Sequence, residues 1–287
     1  MANLTHKEIA LAYLNGQTQF SSFIKNPSQA TTSGIWYDTS MSSGNPIAQY
    51  YSGISMTSTL LRRSTDLGLN HGQSVGSGYK KYLHKMSILS TAIATGINIE
   101  IMDYLLFYSG ISMDAGVQTF TNSTPLSRST SGEGVMIMIV ELFPYVGGAT
   151  FQLTYTNSLG VSGRLTPVIT LNTQAVFGTV ATSASATAGT CGLFATLQNG
   201  DTGVKTIDSI EIFGAGDVGV LAAVLVKPLA ALQIAETTQP SMFDFWYDFG
   251  ILPQIEDDAF LGMACMSTTS LSGANIQGNL TTVWSAA

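Results

Sequence analysis

Gly214-Ala215-Gly216-Asp217-Val218-Gly219 reads as GxGxxG directly after the strand-like run Ser209–Phe213. That spacing lets a backbone approach a pyrophosphate at a helix N-terminus, and Glu236 lies near the distance for a ribose contact. The run that follows, Val218–Val226, is rich in β-branched residues and soon meets Pro228, and no βαβ alternation surrounds it. A glycine-rich hairpin turn between two strands accounts for the same letters. Asp103 and Glu141, isolated carboxylates in strand-like runs, are the residue types of a glycosidase pair. Glu256-Asp257-Asp258 is an acidic run that could hold a hard cation or simply be a solvated loop. His6, His71 and His84 stand apart, with no HExxH or HxH spacing for zinc and no GxSxG for a nucleophile elbow. Cys191 and Cys265 form no CxxC and read as two buried, apolar thiols of a protein made in a reducing compartment. The sequence therefore nominates no catalytic residue, no cofactor and no metal.

The elements that would have to position such groups are mostly strands. Thr5-His6-Lys7-Glu8 is a capping-box pattern, and Ile9, Leu11, Ala12 and Leu14 follow before Gly16, which predicts one short helix. Residues 17–80 show no sustained period and are rich in Ser, Thr, Gly, Asn and Gln, so they read as an extended arm or long loops ordered by neighbours. From Tyr82 onward, short β-like runs alternate with turn signals. Strands are expected at Tyr82–Ala92, Ile97–Phe107, Gly134–Leu142, Thr150–Thr156, Gly163–Leu171, Gln174–Thr182, Thr206–Phe213, Val218–Val226, Ala259–Met266 and Ile276–Trp284. Gly134–Leu142 is apolar on both faces and predicts a central strand, and the spacing of Ile207 against Ile210 and Ile212 predicts a bulge or register change. The expected fold is all-β, an antiparallel sandwich or jelly-roll-like domain at 81–287 preceded by a helix and arm at 1–80. Tyr51-Ser52-Gly53-Ile54-Ser55-Met56 recurs as Tyr108-Ser109-Gly110-Ile111-Ser112-Met113. Two copies make no solenoid, and the repeat is either chance or the same glycine turn used twice beside a sheet.

Composition narrows the function. Charged residues make up 10% of the chain, against roughly 25% in an ordinary soluble domain. Serine and threonine, 64 of 287 residues, occupy the positions where charges usually sit. A monomer uses mixed charge to stay solvated and to keep strand edges apart, so a chain that omits it is built to be covered by other subunits. The net charge of −7 is unevenly spread: residues 1–90 hold seven basic and three acidic side chains, and the remainder balances at −11. That split points to an N-terminal contact with an acidic partner, and the dispersed positive charges favour a protein over nucleic acid. The residues expected to dock it are Arg62, Arg63, Lys80, Lys81 and Lys85, with Trp36 and Tyr37 as aromatic anchors. Lys80-Lys81-Tyr82-Leu83-His84-Lys85 interleaves basic and aromatic residues, but it is short and set in an acidic chain, which disfavours a direct nucleic-acid grip. Met1–Ala10 leads into no apolar run of a secretory leader, and Val218–Ala235 contains Lys227 and Pro228, so no membrane partner is expected.

Gly34-Ile35-Trp36-Tyr37-Asp38, Gly44-Asn45-Pro46 through Tyr50-Tyr51, Phe151–Gly163 with Arg164-Leu165-Thr166-Pro167, Gly200-Asp201-Thr202-Gly203-Val204 and Leu225-Val226-Lys227-Pro228-Leu229 are scattered over most of the chain. In these runs the chain resembles structural proteins of tailed-bacteriophage particles. The resemblance implies a non-enzymatic virion component, most like a decoration (cement) protein on the capsid exterior, made in the host cytoplasm. The partners it implies are the major capsid protein and sister copies, most simply in a trimer. The other reading the same features allow is a fibre or tail appendage that binds a host receptor or glycan.

Overall fold

The computed structural model describes every residue except 1–3, 29, 92–95, 115, 147, 175, 184–187, 215–217, 237 and 287, and the side chains of 144–146. Helix α1 (His6–Leu14) begins as its sequence predicts. Thr5 accepts the Glu8 amide while the Glu8 carboxylate accepts the Thr5 amide, a complete capping box. The rest is an all-β sandwich of three antiparallel sheets.

Sheet A contains β1 (Thr18–Asn26), β3 (Ser43–Asn45), β5 (Tyr79–Ser90), β14 (Ser241–Asp244) and β17 (Ile276–Ala286), in the order β14-β5-β17-β1-β3, with β15 (Gln254–Ile255) also on β5. Sheet B contains β2 (Trp36–Asp38), β6 (Ile97–Ser112), β8 (Met136–Val146), β13 (Val218–Ile234) and β16 (Phe260–Met266), ordered β2-β16-β6-β13-β8, with β4 (Thr59–Leu60) on β6. Sheet E contains β7 (Gly116–Thr119), β9 (Thr150–Asn157), β10 (Arg164–Leu165), β11 (Ile169–Thr170) and β12 (Val204–Phe213).

Strands β6 and β13 are the spine. At about 3.3 Å per residue each extends about 50 Å, long enough to serve two cores. One end of the pair (Ile97, Ile99, Ile101, Leu232, Ile234) packs with sheet A residues such as Phe23, Leu83, Ile88 and Leu280. The other end (Tyr108, Ile111, Leu221, Ala223, Leu225) packs with Phe151, Leu153, Tyr155, Ile207 and Ile210 of sheet E. The remaining face of sheet B meets Met41, Tyr51, Leu61, Val180 and Leu193 from the loops. Burial on both faces explains why their central stretches, residues 104–108 and 220–226, read as unbroken apolar runs. Pro228 sits where β13 passes beyond β8, whose register ends at Val226, so its missing N–H costs no ladder bond on that side.

Several expected elements take a different form. Gly163–Leu171 is split into β10 and β11, with Pro167 between them unable to donate a ladder bond. Strand β8 lies at the end of sheet B instead of its centre. Its outer edge is satisfied by loop backbone: Glu141 N donates to Thr179 O, Ala181 N to Ile139 O and Ala195 N to Ile137 O. Of these partners Thr179 and Ala181 come from Gln174–Thr182, which forms isolated bridges (Thr179 with Tyr37, Val180 with Val140) and not a strand. The predicted irregularity near Ile207 is a register shift between Ile207 and Ser209.

Residues 17–80, read from sequence as an arm or loops, contain β1, which is hydrogen-bonded between β17 and β3. They also bury Asp38, Tyr51, Leu61 and His71. The repeated hexapeptides do not share one turn: the second continues β6 with Gly110 at φ +75°, whereas the first is a loop in which Tyr51 and Met56 take positive φ. The two copies lie against each other, since Met56 N donates to Ser109 O at 2.8 Å and a Cβ on Gly110 would collide with Ser55.

Candidate assembly interface

The chemistry-bearing residues are placed apart or already occupied. Asp103 accepts a two-pronged grip from Arg128 (Nε to Oδ2 3.0 Å, Nη2 to Oδ1 2.8 Å), and both side chains are buried. Asp103 stands in register with Lys227, and Glu141 with Leu221, six residues further along β13. That is about 20 Å of strand, far beyond the spacing of a glycosidase pair. The acidic run binds neighbouring loops. Asp258 accepts from the Ser64 amide and hydroxyl, and Asp257 accepts from Ser74, Val75, Gly76 and Lys81. Among the described residues no group of three or more His, Cys, Asp and Glu could hold a metal ion. Beyond Gly214 the chain enters strand β13, not a helix, so no helix N-terminus exists there for a phosphate. Residues 215–217 of the motif lie outside those described. The turn is not a hairpin either, because β12 and β13 belong to different sheets. Cys265 is buried, Cys191 half-buried, and both thiols are free.

The residues nominated for docking divide by exposure. Lys80 and Lys85 face out, and Arg62, Arg63 and Trp36 are half-buried. Tyr37 is 1% exposed, and Lys81 is buried against Asp257, His71 and Gln73, so neither presents a surface to a partner. Lys85 is joined to Asp244 at 3.1 Å. The basic-aromatic run is therefore not a continuous stripe: Tyr82, Leu83 and His84 are also buried.

What the structure does assemble is the outer face of sheet A. Strand register places side chains there in three rows: Asp244, Lys85, Thr281, Phe20; then Met242, Ser87, Asn279, Ser22; then Leu89, Gln277, Ile24, Asn45. A β-bulge between Thr281 and Thr282 shifts β5 by one residue at this point. Beyond it, α1 covers the sheet, with Ile9 and Ala12 in one cluster with Tyr82 and the Tyr13 hydroxyl 2.9 Å from His84 Nδ1. The other half stays open. Met242 is 77% and Phe20 64% exposed; both line a groove of about 340 Å³, and Met242, Ser22 and Ile24 line a second of about 580 Å³ that shares Ser87 and Asn279 with the first. The charge in these rows is the mutually paired Lys85 and Asp244, and burial of His84 beside them pulls its pKa below the ordinary value, so the imidazole is neutral near pH 7. Exposed Tyr247, Phe249 and Ile251 continue the apolar character on and just after α3 (Phe245–Phe249), whose N-cap is Asp244.

Sequence reasoning missed Phe20, Ile24 and Met242. The signal for Phe20 and Ile24 was Phe20-Ser21-Ser22-Phe23-Ile24, in which apolar residues fall on both faces of one strand.

No family model matches the chain, and no curated protein matches it. Solved structures with similarity to it include the VP2 subviral particle of infectious bursal disease virus, at 8% identity over 94% of this chain and 81% of that chain, with a TM-score of 0.19. Another is the Gx strain of infectious bursal disease virus, at 11% identity over 94% of this chain and 80% of that chain, again with a TM-score of 0.19.

Proposed function

We propose that this chain is a non-enzymatic structural subunit of a virus particle, a decoration (cement) protein that stabilises a phage capsid from outside. Its contacts with the major capsid protein and with sister copies run through the open half of sheet A. The observation that carries this reading is the three-row face itself: a sheet surface with large apolar side chains well exposed and little net charge. A sheet with one face on its core normally turns polar side chains outward. Large apolar side chains exposed on the two sides of one groove are a feature that interaction sites share. The 10% charge content supports the same reading across the rest of the surface. Closed cyclic symmetry, most simply a trimer, would cover such faces and the short outer strand β3 together. Lys80, with the half-buried Arg62 and Arg63, supplies positive charge that steers the protein to an acidic shell, whereas Lys85 is neutralised by Asp244.

The test uses the full chain. It is sized by light scattering and then added to capsids that lack it, and the temperature at which those particles release their contents is measured. An oligomer that binds the shell and raises that temperature is expected. A freely soluble monomer with no effect on the particles overturns the reading.

A further inference from the structure

Lys81 lies in an arrangement that no assembly contact requires. Its side chain is fully buried on β5, with Nζ 3.3 Å from Asp257 Oδ1, 3.3 Å from His71 Nδ1 and 2.7 Å from the Gln73 carbonyl. The other ring nitrogen of His71 is 2.9 Å from the Ala259 carbonyl. A carbonyl only accepts, so Nε2 carries the hydrogen and Nδ1 presents its lone pair to the lysine. The second carboxylate oxygen, Asp257 Oδ2, collects three donors: Ser74 Oγ at 2.6 Å, Val75 N at 3.1 Å and Gly76 N at 3.2 Å. Gly76 holds φ +82° in this loop, a conformation that favours glycine. A buried amine, a carboxyl carbon beside it, a basic nitrogen on the amine and a three-donor pocket on the far oxygen together make the geometry of an acyl transfer.

We propose that Lys81 and Asp257 are a self-modification site that closes to an intramolecular isopeptide bond. The ammonium passes one proton to Oδ1, giving a neutral amine and a neutral carboxylic acid. Nζ then attacks Cγ, and the negative charge that develops on Oδ2 is held by Ser74, Val75 and Gly76. His71 takes a second proton from nitrogen at Nδ1 and delivers it to the departing Oδ1 hydroxyl. The C–O bond breaks, one water leaves and an Nζ–Cγ amide remains, so no oxidant or other co-reactant is needed. Desolvation pulls the lysine pKa below its ordinary value and favours the neutral amine. At Asp257 desolvation is outweighed by the donors Ser74 and Val75 and the Lys81 charge, which hold its carboxyl below the usual range, so the transfer to Oδ1 is the uphill step of the closure. The partial exposure of Asp257, 33%, gives the water a way out. The bond ties β5 to the connection that leads from β15, its neighbour in sheet A, to β16 of sheet B.

The purified full chain is tested by intact-mass spectrometry, followed by peptide mapping after prolonged incubation. The expected result is a mass lower by one water and a branched peptide that joins Lys81 to Asp257. Lys81→Ala and Asp257→Ala should restore the full mass, and His71→Ala should slow closure at least about tenfold. Mapping of the unaltered chain decides the matter even if a variant fails to fold. The full mass with both residues free overturns the proposal. So does loss of water at Asp257 with Lys81 still unlinked, which would be a local dehydration.

Discussion

The outer faces of sheets A and E are built from the same kind of strand and end up chemically unlike. On sheet E the outward rows are Gln152, Thr154 and Thr156 on β9 beside Glu211, Ser209 and Thr206 on β12. These side chains satisfy one another. Asp208 accepts from the Thr156 and Thr206 hydroxyls at 3.0 Å each, and Gln152 donates to the Thr166 carbonyl at 2.6 Å. On sheet A the corresponding rows expose Phe20, Ile24 and Met242 between Ser and Asn. Exposed apolar side chains occur on sheet E too, with Val117 beside Glu211 and Leu165 beside Thr154, but the bulkier Phe20, Ile24 and Met242 stand on sheet A. Both faces carry hydroxyl and amide side chains, so the difference lies in the aromatic and methionine side chains that sheet A adds among them, and these are what the proposed contact would cover.

The largest expected effect comes from breaking that face directly. Phe20→Lys combined with Met242→Lys places two unpaired cations in adjacent rows. Two such anchors at about 1.5–2 kcal/mol each imply self-association weakened by at least about a hundredfold. Light scattering across a dilution series checks this, with the urea midpoint expected to stay close to that of the unaltered chain. An unchanged oligomer would move the interface elsewhere. Next in size is a change that leaves both outer faces alone. Arg128→Met strands the buried Asp103 carboxylate without its cation, and the expected cost is about 3–5 kcal/mol of folding stability. Pairing it with Asp103→Leu should recover most of that loss. Denaturant unfolding measures both, and association per folded molecule should not change.

How much of this was legible in the sequence follows from which groups face inward. Strands β9 and β12 and the spine were readable because Phe151, Leu153 and Tyr155 alternate with Gln152, Thr154 and Thr156 on β9 and because residues 104–108 of β6 and 220–226 of β13 are unbroken apolar runs. Strand β1 was not, since its inward positions are Ser21, Phe23 and Lys25. Those polar groups are tolerable only through partners distant in sequence. The Ser21 hydroxyl donates to the Asn70 carbonyl, and the Lys25 ammonium is surrounded by the carbonyls of Ser40, Ser42, Pro46 and Ile47. A buried lysine reads as a surface residue until its cage is seen, and the same holds for Lys81. The open face needed strand register, which local pattern does not supply, so its three rows became visible only with the coordinates.

The interior also answers to pH. Burial, reinforced by the Lys81 charge, draws His71 from the ordinary 6.5 down to about 4. The unfolded chain therefore takes the proton first as pH falls. The stability tied to neutral His71 is present above about pH 6.5, declines below it and is fully lost below about pH 4. A shift of that size corresponds to about 3 kcal/mol. Urea midpoints measured across this window should fall for the unaltered chain and fall less for His71→Gln. The difference between the two curves isolates the histidine from carboxylates common to both.

The smallest expected effect is the sharpest test of the comparison. Thr154→Lys places a cation on sheet E directly opposite Ser209 and close to Asp208 and Glu211. Those acidic neighbours offset the added charge, so stability should change by no more than about 0.5 kcal/mol. The molecular mass by light scattering should not move. Ser22→Lys makes the same chemical change in the middle row of sheet A, opposite Asn279, and should dissociate the oligomer measurably. If Thr154→Lys dissociates it equally, then any neutral strand surface of this chain serves as a contact. Hydroxyl-rich composition, and not the exposed apolar rows of one sheet, would then decide where neighbours bind.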